Sequence, residues 1–292
     1  MVKPLVLVTN DDGIDSRGLW AVAEAMLSLG QVLVVAPERQ WSGCGRSMPP
    51  DVTFAVRDAS RVLHGCEVLA YAVDASPAQA VALAVLDLAT RRPHLVVAGA
   101  NHGANLSIEV TISGTVGAAI EAAAFGIPAL AVSLEMDDRH FLEGDPQADY
   151  RATQHVAAEL ARYILQRGLP HGVDALNVNI PREAVPTTPW RTTRLSRSRY
   201  FVPLPPDRAH GQDRPGYRLL DDLSGTEPDS DIHALLVEHS VSISPLSLDM
   251  TARVGVALPG YLGLDLAAWL GQTRPHALAL AAPPAMQAEP VI

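Results

Sequence analysis

Cysteine is scarce. Cys44 and Cys66 are the only two in 292 residues, and their spacing matches no metal-ligand pattern. A disulfide is not expected; free thiols in a reducing compartment are the simpler reading. Basic residues are also few, 22 Lys and Arg against 32 Asp and Glu, for a formal charge of −10. That balance argues against broad binding to nucleic-acid backbones, which requires basic stripes. No apolar run approaches the roughly 20 residues needed to cross a bilayer. Only Met1-Val2-Lys3-Pro4 precedes the first apolar run, leaving no room for a signal peptide, so a cytoplasmic location is expected. What is abundant is core-forming material, 48% hydrophobic against 18% charged. The length suits one large domain, or one domain with an appendage.

The organising stretch is Leu5-Val6-Leu7-Val8-Thr9-Asn10-Asp11-Asp12-Gly13. Its apolar half has the composition of a strand buried on both faces, as in parallel sheets. Open α/β sheets place ligands at the carboxyl ends of such strands. Two adjacent carboxylates there repel each other and lose hydration, so a cation between them is one reading. The other is a plain turn, because Asn, Asp and Gly are all turn formers. Local sequence leaves both open.

Downstream, Leu19, Val22, Ala23 and Met26 recur at helical spacing, with Gly30 as the stop. Gln31 to Ala36 reads as a second buried strand, and strand-helix-strand with short connections is a βαβ unit. The following loop, Pro37 to Ser47, is rich in small polar residues but lacks P-loop and dinucleotide fingerprints. Two short strands are expected in 51–73, the second being Glu67 to Val73. Ser76-Pro77 then starts a helix with Val81, Val85 and Leu88 on its apolar face. His94 to Ala98 is the next strand, leading into the amide-rich loop Gly99 to Leu106. Ser113-Gly114-Thr115 opens a helix lined by Val116, Ala119, Ile120 and Ala123. Ala129 to Leu134 is a strand, Tyr150 to Gln166 a helix with Val156, Leu160 and Ile164 inward, and Ala175 to Ile180 a strand.

The expected domain plan is a catalytic core over 1–182 and an extended hairpin excursion over 183–240. A return strand (Val241 to Pro245) and short helix (Leu262 to Leu270) fill 241–270, and 271–292 is a disordered tail.

Three strand-end loops thus offer Asp11, Asp12, Ser42 and Asn101, all oxygen donors. That set suits a hard cation such as Mg²⁺, Mn²⁺ or Ca²⁺ rather than Zn²⁺. A bound water would become more acidic, and a neighbouring carboxylate could take its proton. Ser113-Gly114-Thr115 at a helix start can bind an anion through free backbone N–H groups, hydroxyls and the helix dipole; its bland reading is an N-cap. His102 lies beside Asn101, where a lone loop histidine is commonly incidental. A metal centre and an anion-binding helix start on one sheet edge together describe phosphomonoester hydrolysis.

The sequence resembles the SurE (survival protein E) family. The resemblance rests on Thr9-Asn10-Asp11-Asp12-Gly13, Val35-Ala36-Pro37-Glu38-Arg39 with Ser42-Gly43, and the long run Pro93 to Leu106. Ser113-Gly114-Thr115-Val116-Gly117-Ala118-Ala119 and Pro128 to Leu134 complete it, with weaker echoes at Leu176 to Pro181 and Val241 to Leu246. It implies a Rossmann-like three-layer α/β core with a mostly parallel sheet, plus a hairpin and C-terminal segment used in forming a homodimer or homotetramer. It also implies that Asp11, Asp12, Ser42 and Asn101 hold one divalent ion per subunit, Mg²⁺ or Mn²⁺, with Asp11 or Asp12 as the proton acceptor. Gly43, Asn105, Ser113, Gly114 and Thr115 would surround the phosphate, with Asn10 beside them. The implied reaction is hydrolysis of phosphomonoesters, chiefly nucleoside 5′- or 3′-monophosphates, with short-chain polyphosphate as a further candidate substrate.

Three stretches depart from the family pattern: the region of Arg46, near which the family usually has Asn; Asp74 to Ala80; and Ser107 to Ile112. Arg46 could add a phosphate contact, since guanidinium pairs bidentately with phosphate. The departures also leave room for a nucleotide-binding protein with little turnover, or for a phosphatase acting on another phosphomonoester.

Overall fold

Leu5–Thr9 forms β1, buried at every position, because this strand has a helical layer on each face. Leu5 and Leu7 pack with Leu33, Val35, Val81, Val116 and Ala119 on one side. Val6 and Val8 pack with Leu19, Val22, Met26 and Val156 on the other. A strand with two dry faces needs no polar alternation, hence its continuous apolar run. The computed structural model describes residues 3–50, 54–137, 144–208, 213 and 216–251.

The helices of one layer are α1 (Arg17–Met26) and α4 (Arg151–Arg167); those of the other are α2 (Pro77–Leu83) and α3 (Gly114–Ala124). Between them lies a sheet built on β1, β2 (Gln31–Pro37), β5 (Cys66–Val73), β6 (Leu95–His102), β7 (Ala129–Leu134) and β8 (Ala175–Ile180). These six are mutually parallel, in the order β5-β2-β1-β6-β7-β8. The short strands β3 (Val56–Asp58) and β4 (Arg61–Leu63) pair antiparallel with β5, so the 51–73 region contributes three strands rather than two. At the far edge β12 (Val241–Leu246) runs antiparallel to β8, with β9 (Trp190–Thr192) parallel to β12. The α/β class with a mostly parallel sheet is the one expected.

Some sequence-level expectations shift. The buried stripe of α3 is Val116, Ala118, Ala119 and Ala122, while Ile120 and Ala123 are half-buried. α3 packs against α2 as well as the sheet, so its covered sector is wider than a single-sided helix would show. In the 183–230 stretch, β9 joins the main sheet, and a separate ribbon pairs β10 (Phe201–Leu204) with β11 (Gly216–Leu219). The ribbon's base is packed: Tyr200 joins Leu106, Ile232 and Leu235 in a small cluster, the last two from α5 (Asp231–Leu236). The expected helix Leu262 to Leu270 and the tail 271–292 lie outside the described residues. Among those described, no helix is long and apolar enough to cross a membrane.

One close approach seats α1 under the site. A Cβ on Gly18 would stand 2.1 Å from the carbonyl oxygen of Ala100 in β6. Backbone faces backbone there, so no side chain can yield. Gly18→Ala should therefore cost about 2–3 kcal/mol of stability, as overpacking does. The check is a lower urea midpoint at unchanged m-value; an unshifted midpoint refutes the packing argument.

Candidate metal centre

The order of the strands places a topological switch between β1 and β6: from β1 the chain moves outward through β2 to β5, then returns to the other side at β6. Crevices at such points, beyond the carboxyl ends of the strands, are where open α/β sheets bind ligands. Asp11 and Asp12 follow β1, Ser42 follows β2, and Asn101 ends β6.

Asn10-Asp11-Asp12-Gly13 is a turn that also carries two buried carboxylates. Asn10 is fully buried and its amide donates to the Gly13 carbonyl at 3.0 Å. Gly13 takes φ +98°, a conformation glycine adopts without strain, and its carbonyl also accepts the Ser16 N–H at 3.1 Å. Asn10 and Gly13 therefore make the turn, and the two aspartates are left for other work. Asn10 thus closes the turn from within through its NH₂, while its Oδ1 is buried without a partner.

Asp11 is 3% exposed. Thr115, itself fully buried, donates its hydroxyl to Asp11 Oδ1. Burial raises the Asp11 pKa, opposed first by the Thr115 hydroxyl and then by backbone hydrogen bonds, those of Thr115 and Gly114 included. Asp12 exposes backbone only, its side chain being 1% accessible. It accepts the Gln40 amide at 2.9 Å on Oδ1 and the His102 backbone N–H at 3.0 Å on Oδ2. Burial, and then the charge of Asp11, push its pKa well above the ordinary carboxylate value. Among the described residues no Lys or Arg pairs with either carboxylate.

His102 does not fill that gap. Its Nδ1 lies 3.5 Å from Asp12 Oδ1 and has no hydrogen-bond partner, while Nε2 meets Ser16 Oγ at 3.2 Å. Burial, and then the charge of Arg17, lower its pKa to about 4. The ring is neutral near pH 7, so this approach is not an ion pair. Tyr150 is a further neighbour that the sequence did not single out. Its hydroxyl is buried without a partner, and burial followed by the charge of Asp12 pushes its pKa up to about 12. Gln40 and Ser16 also escaped notice, since an isolated Gln or Ser in a loop carries no spacing signal.

The other candidate donors fit a hard cation. Asn101 gives its amide N–H to the Gly103 carbonyl at 2.7 Å, which leaves Oδ1 as its available acceptor. His102, the next residue, holds Asp12, so Asn101 sits at the same strand end. Trp41 N–H bonds the Asp11 carbonyl at 2.7 Å and draws the second loop over the aspartates, leaving Ser42 and Gly43 exposed. Among the described residues no group of three or more His, Cys, Asp or Glu could hold a metal. Two buried, uncompensated carboxylates with hydroxyl and amide oxygens are the donors a Mg²⁺- or Mn²⁺-like ion takes.

The substrate-side residues divide. Ser113 caps α3, accepting the Val116 N–H at 3.1 Å, and is 6% exposed. Thr115 is committed to Asp11, so its hydroxyl supports the aspartate rather than facing a phosphate. Gly114 lies against Asp11, where a Cβ would be 2.7 Å from Oδ2. Asn105 is clamped: its N–H donates to Asn179 Oδ1 at 2.8 Å, and its carbonyl accepts Asn177 and Asn179 amides at 2.8 and 3.0 Å. Its side-chain amide donates to Ser133 Oγ at 2.8 Å. Arg46 is turned elsewhere: its Nε meets Glu121 Oε2 at 2.6 Å. Glu121 is eight residues along α3 from Ser113, or about 12 Å of helix. In this structure the Arg46 guanidinium is thus engaged with Glu121 through Nε.

The raised aspartate pKa values fix a sign. The folded, metal-free protein holds protons that the unfolded chain releases near pH 4, so this pair contributes stability at low pH that is lost as pH rises. A divalent cation competes with those protons and replaces the lost stabilisation once they leave. Saturating Mn²⁺ should therefore raise the melting temperature more at pH 7.5 than at pH 5, by several degrees in difference. Equal shifts at both values would remove the aspartates from the cation site.

Comparison with known proteins converges on one family. The family model described as survival protein SurE matches residues 6–202. A protein named 5′-nucleotidase SurE from Thermococcus gammatolerans is 43% identical over 253 residues, covering 85% of this chain and 92% of that one. Another of the same name from Methanocella arvoryzae is 44% identical over 253 residues, with 85% and 93% covered. The crystal structure of a SurE protein from Aquifex aeolicus superposes with a TM-score of 0.66 at 30% identity, covering 85% of this chain and 95% of that one. By these matches the chain, whose buried aspartate pair lies at the switch point of a parallel sheet, belongs to the SurE family.

Proposed function

We propose that this protein is a divalent-metal-dependent 5′-nucleotidase that hydrolyses nucleoside monophosphates to nucleoside and phosphate. The observation that carries the reading is the Asp11–Asp12 pair: two nearly inaccessible carboxylates with no Lys or Arg paired to them among the described residues. The names of the relatives, 5′-nucleotidase SurE, supply the substrate class. We assign the cation to Asp11, Asp12, Ser42 and Asn101, one ion per subunit, Mg²⁺ or Mn²⁺. When bound, such an ion neutralises phosphoryl oxygens and makes a water more acidic.

The chain's own residues do the rest. Thr115 and the start of α3 hold Asp11 in place; Gln40 and the His102 N–H hold Asp12. One of the two aspartates accepts the proton of the attacking water. Gly43, Asn105, Ser113 and Gly114 border the phosphate, where backbone amides and hydroxyls offset charge developing on its oxygens. A homodimer or homotetramer is the assembly we expect, and the unpaired Cys44 and Cys66 fit a cytoplasmic protein. Purified protein should release phosphate from AMP with Mn²⁺ and stop on EDTA; release that EDTA leaves untouched overturns the reading. A 3′-monophosphate, short polyphosphate and a non-nucleotide phosphomonoester in the same assay define the substrate range.

A further inference from the structure

We propose that Arg46 is a positioning residue: with Glu121 it fastens the Ser42-bearing loop to α3 and thereby sets how tightly the site holds its cation. The inference rests on the metal reading above. The loop from Glu38 to Ser47 is anchored at two ends. At the near end Trp41 N–H bonds the Asp11 carbonyl at 2.7 Å and Gln40 bonds Asp12 Oδ1 at 2.9 Å. At the far end Gly45 N–H bonds the Ile112 carbonyl at 2.8 Å, and Ser76 Oγ donates to the Ser47 carbonyl at 2.6 Å. The backbone there also lies flat on α3: a Cβ on Gly117 would stand 2.5 Å from the Gly45 carbonyl oxygen and 2.8 Å from the Arg46 nitrogen.

Between the anchors, Ser42 and Gly43 are exposed, and nothing approaches the Gly43 Cβ position within 4 Å. Ser42 is thus the most exposed candidate donor, held by its N–H to Gln40 Oε1 at 2.8 Å, whereas Asp11 and Asn101 are buried. Its place over the aspartates depends on both ends of the loop staying down. The charged link at the far end is Arg46 Nε to Glu121 Oε2, 2.6 Å apart, with the Glu121 side chain 7% and the Arg46 side chain 43% accessible. An exposed pair would contribute little. Here one partner is buried and, among the described residues, has no other ion-pair partner, so losing Arg46 strands a charge under the loop. Ser113, Gly117 and Glu121 are spaced by four, which makes a single stripe of α3 carry both the far anchor and the helix start at the site.

The test titrates Mn²⁺ alone into the full-length protein by calorimetry, for wild type, Arg46→Ala, Arg46→Gln and the exchanged pair Arg46→Glu with Glu121→Arg. Outer partners of metal ligands typically change metal affinity by about 10–100-fold, and the lower end is expected for Arg46→Ala. The exchanged pair should recover most of that loss, which a direct arginine–phosphate contact could not do. Should Arg46→Ala fail to fold, Arg46→Gln, which keeps much of the length without the charge, carries the comparison and should also bind more weakly. Wild-type Mn²⁺ affinity in the single variants, or an exchanged pair no better than Arg46→Ala, overturns the inference. Wild type that takes up no Mn²⁺ fails the metal reading itself, a result distinct from either.

Discussion

Asp12→Asn is expected to lower phosphate release from AMP by about 10³-fold, within the range set by losing a proton acceptor or a preorganised charge. The substitution is nearly isosteric, so packing around the 1%-accessible side chain changes little. Electrostatics changes a great deal. Both Asp12 oxygens act as acceptors, one from Gln40 and one from the His102 N–H. An asparagine can match only one of them; its NH₂ must face the other donor. The variant thus loses the charge that attracts the cation, and one end of its side chain is pushed out of register. With Asp12 as the proton acceptor as well as a ligand, raising Mn²⁺ should restore little of the rate. Steady-state kinetics across a Mn²⁺ series decides this: a variant returning to the wild-type rate at high Mn²⁺ would show that Asp12 only binds metal and would give the proton to Asp11.

Gly114→Ala should cost about 10²-fold in activity, the order expected when a reacting constellation is displaced by roughly an ångström. Helix propensity alone predicts the opposite of harm, since alanine within a helix is favoured over glycine by about 1 kcal/mol. Space decides against it. The added Cβ would lie 2.7 Å from both Cβ and Oδ2 of Asp11 and 3.1 Å from its Cγ. Asp11 cannot swing aside freely, because Thr115 holds its other oxygen and the Trp41 N–H holds its carbonyl. The carboxylate or the start of α3 must shift, and either movement disturbs the cation site. Stability should change by only a few degrees, since the gain in propensity offsets part of the overpacking. Activity and Mn²⁺ affinity both at wild-type level would show that Asp11 tolerates displacement and is not a close ligand.

The two variants also explain which parts of the site could be read from residue order. Asp11 and Asp12 stood out because two carboxylates directly after an apolar run are costly unless compensated. The role of Gly114 as a seat for Asp11 could not be read, because Asp11 and Gly114 are 103 positions apart and nothing in either motif implies contact. The same holds for Gln40 on Asp12, and for the Asn177 and Asn179 amides that clamp Asn105. The Arg46 partner was hidden for a related reason. Guanidinium in a loop beside a phosphate-ready helix suggests a phosphate contact, whereas its ion pair with the buried Glu121, two turns further along that helix, carries no signal in residue order.

What the sequence determined by itself was local and periodic. Buried strands declared themselves as uninterrupted apolar runs because both faces of this sheet are dry, as at Leu5–Thr9. Helix starts at Ser76-Pro77 and Ser113-Gly114 declared themselves because a cap and a fixed φ act within four residues. The oxygen-only character of the donor set was likewise visible in the residue types. The tertiary structure alone decided how Asn10-Asp11-Asp12-Gly13 is divided between turn and site. Asn10 and Gly13 close the turn through short-range hydrogen bonds, whereas the fate of the aspartates depends on what β2, β6 and α3 bring to them. Strand order decided that too: β1 and β6 are neighbours at a switch point, the kind of place where open α/β sheets bind ligands. The physical reason is range. Caps and strand patterning act over a few residues, while desolvation and charge compensation depend on every group that folding brings within a few ångströms.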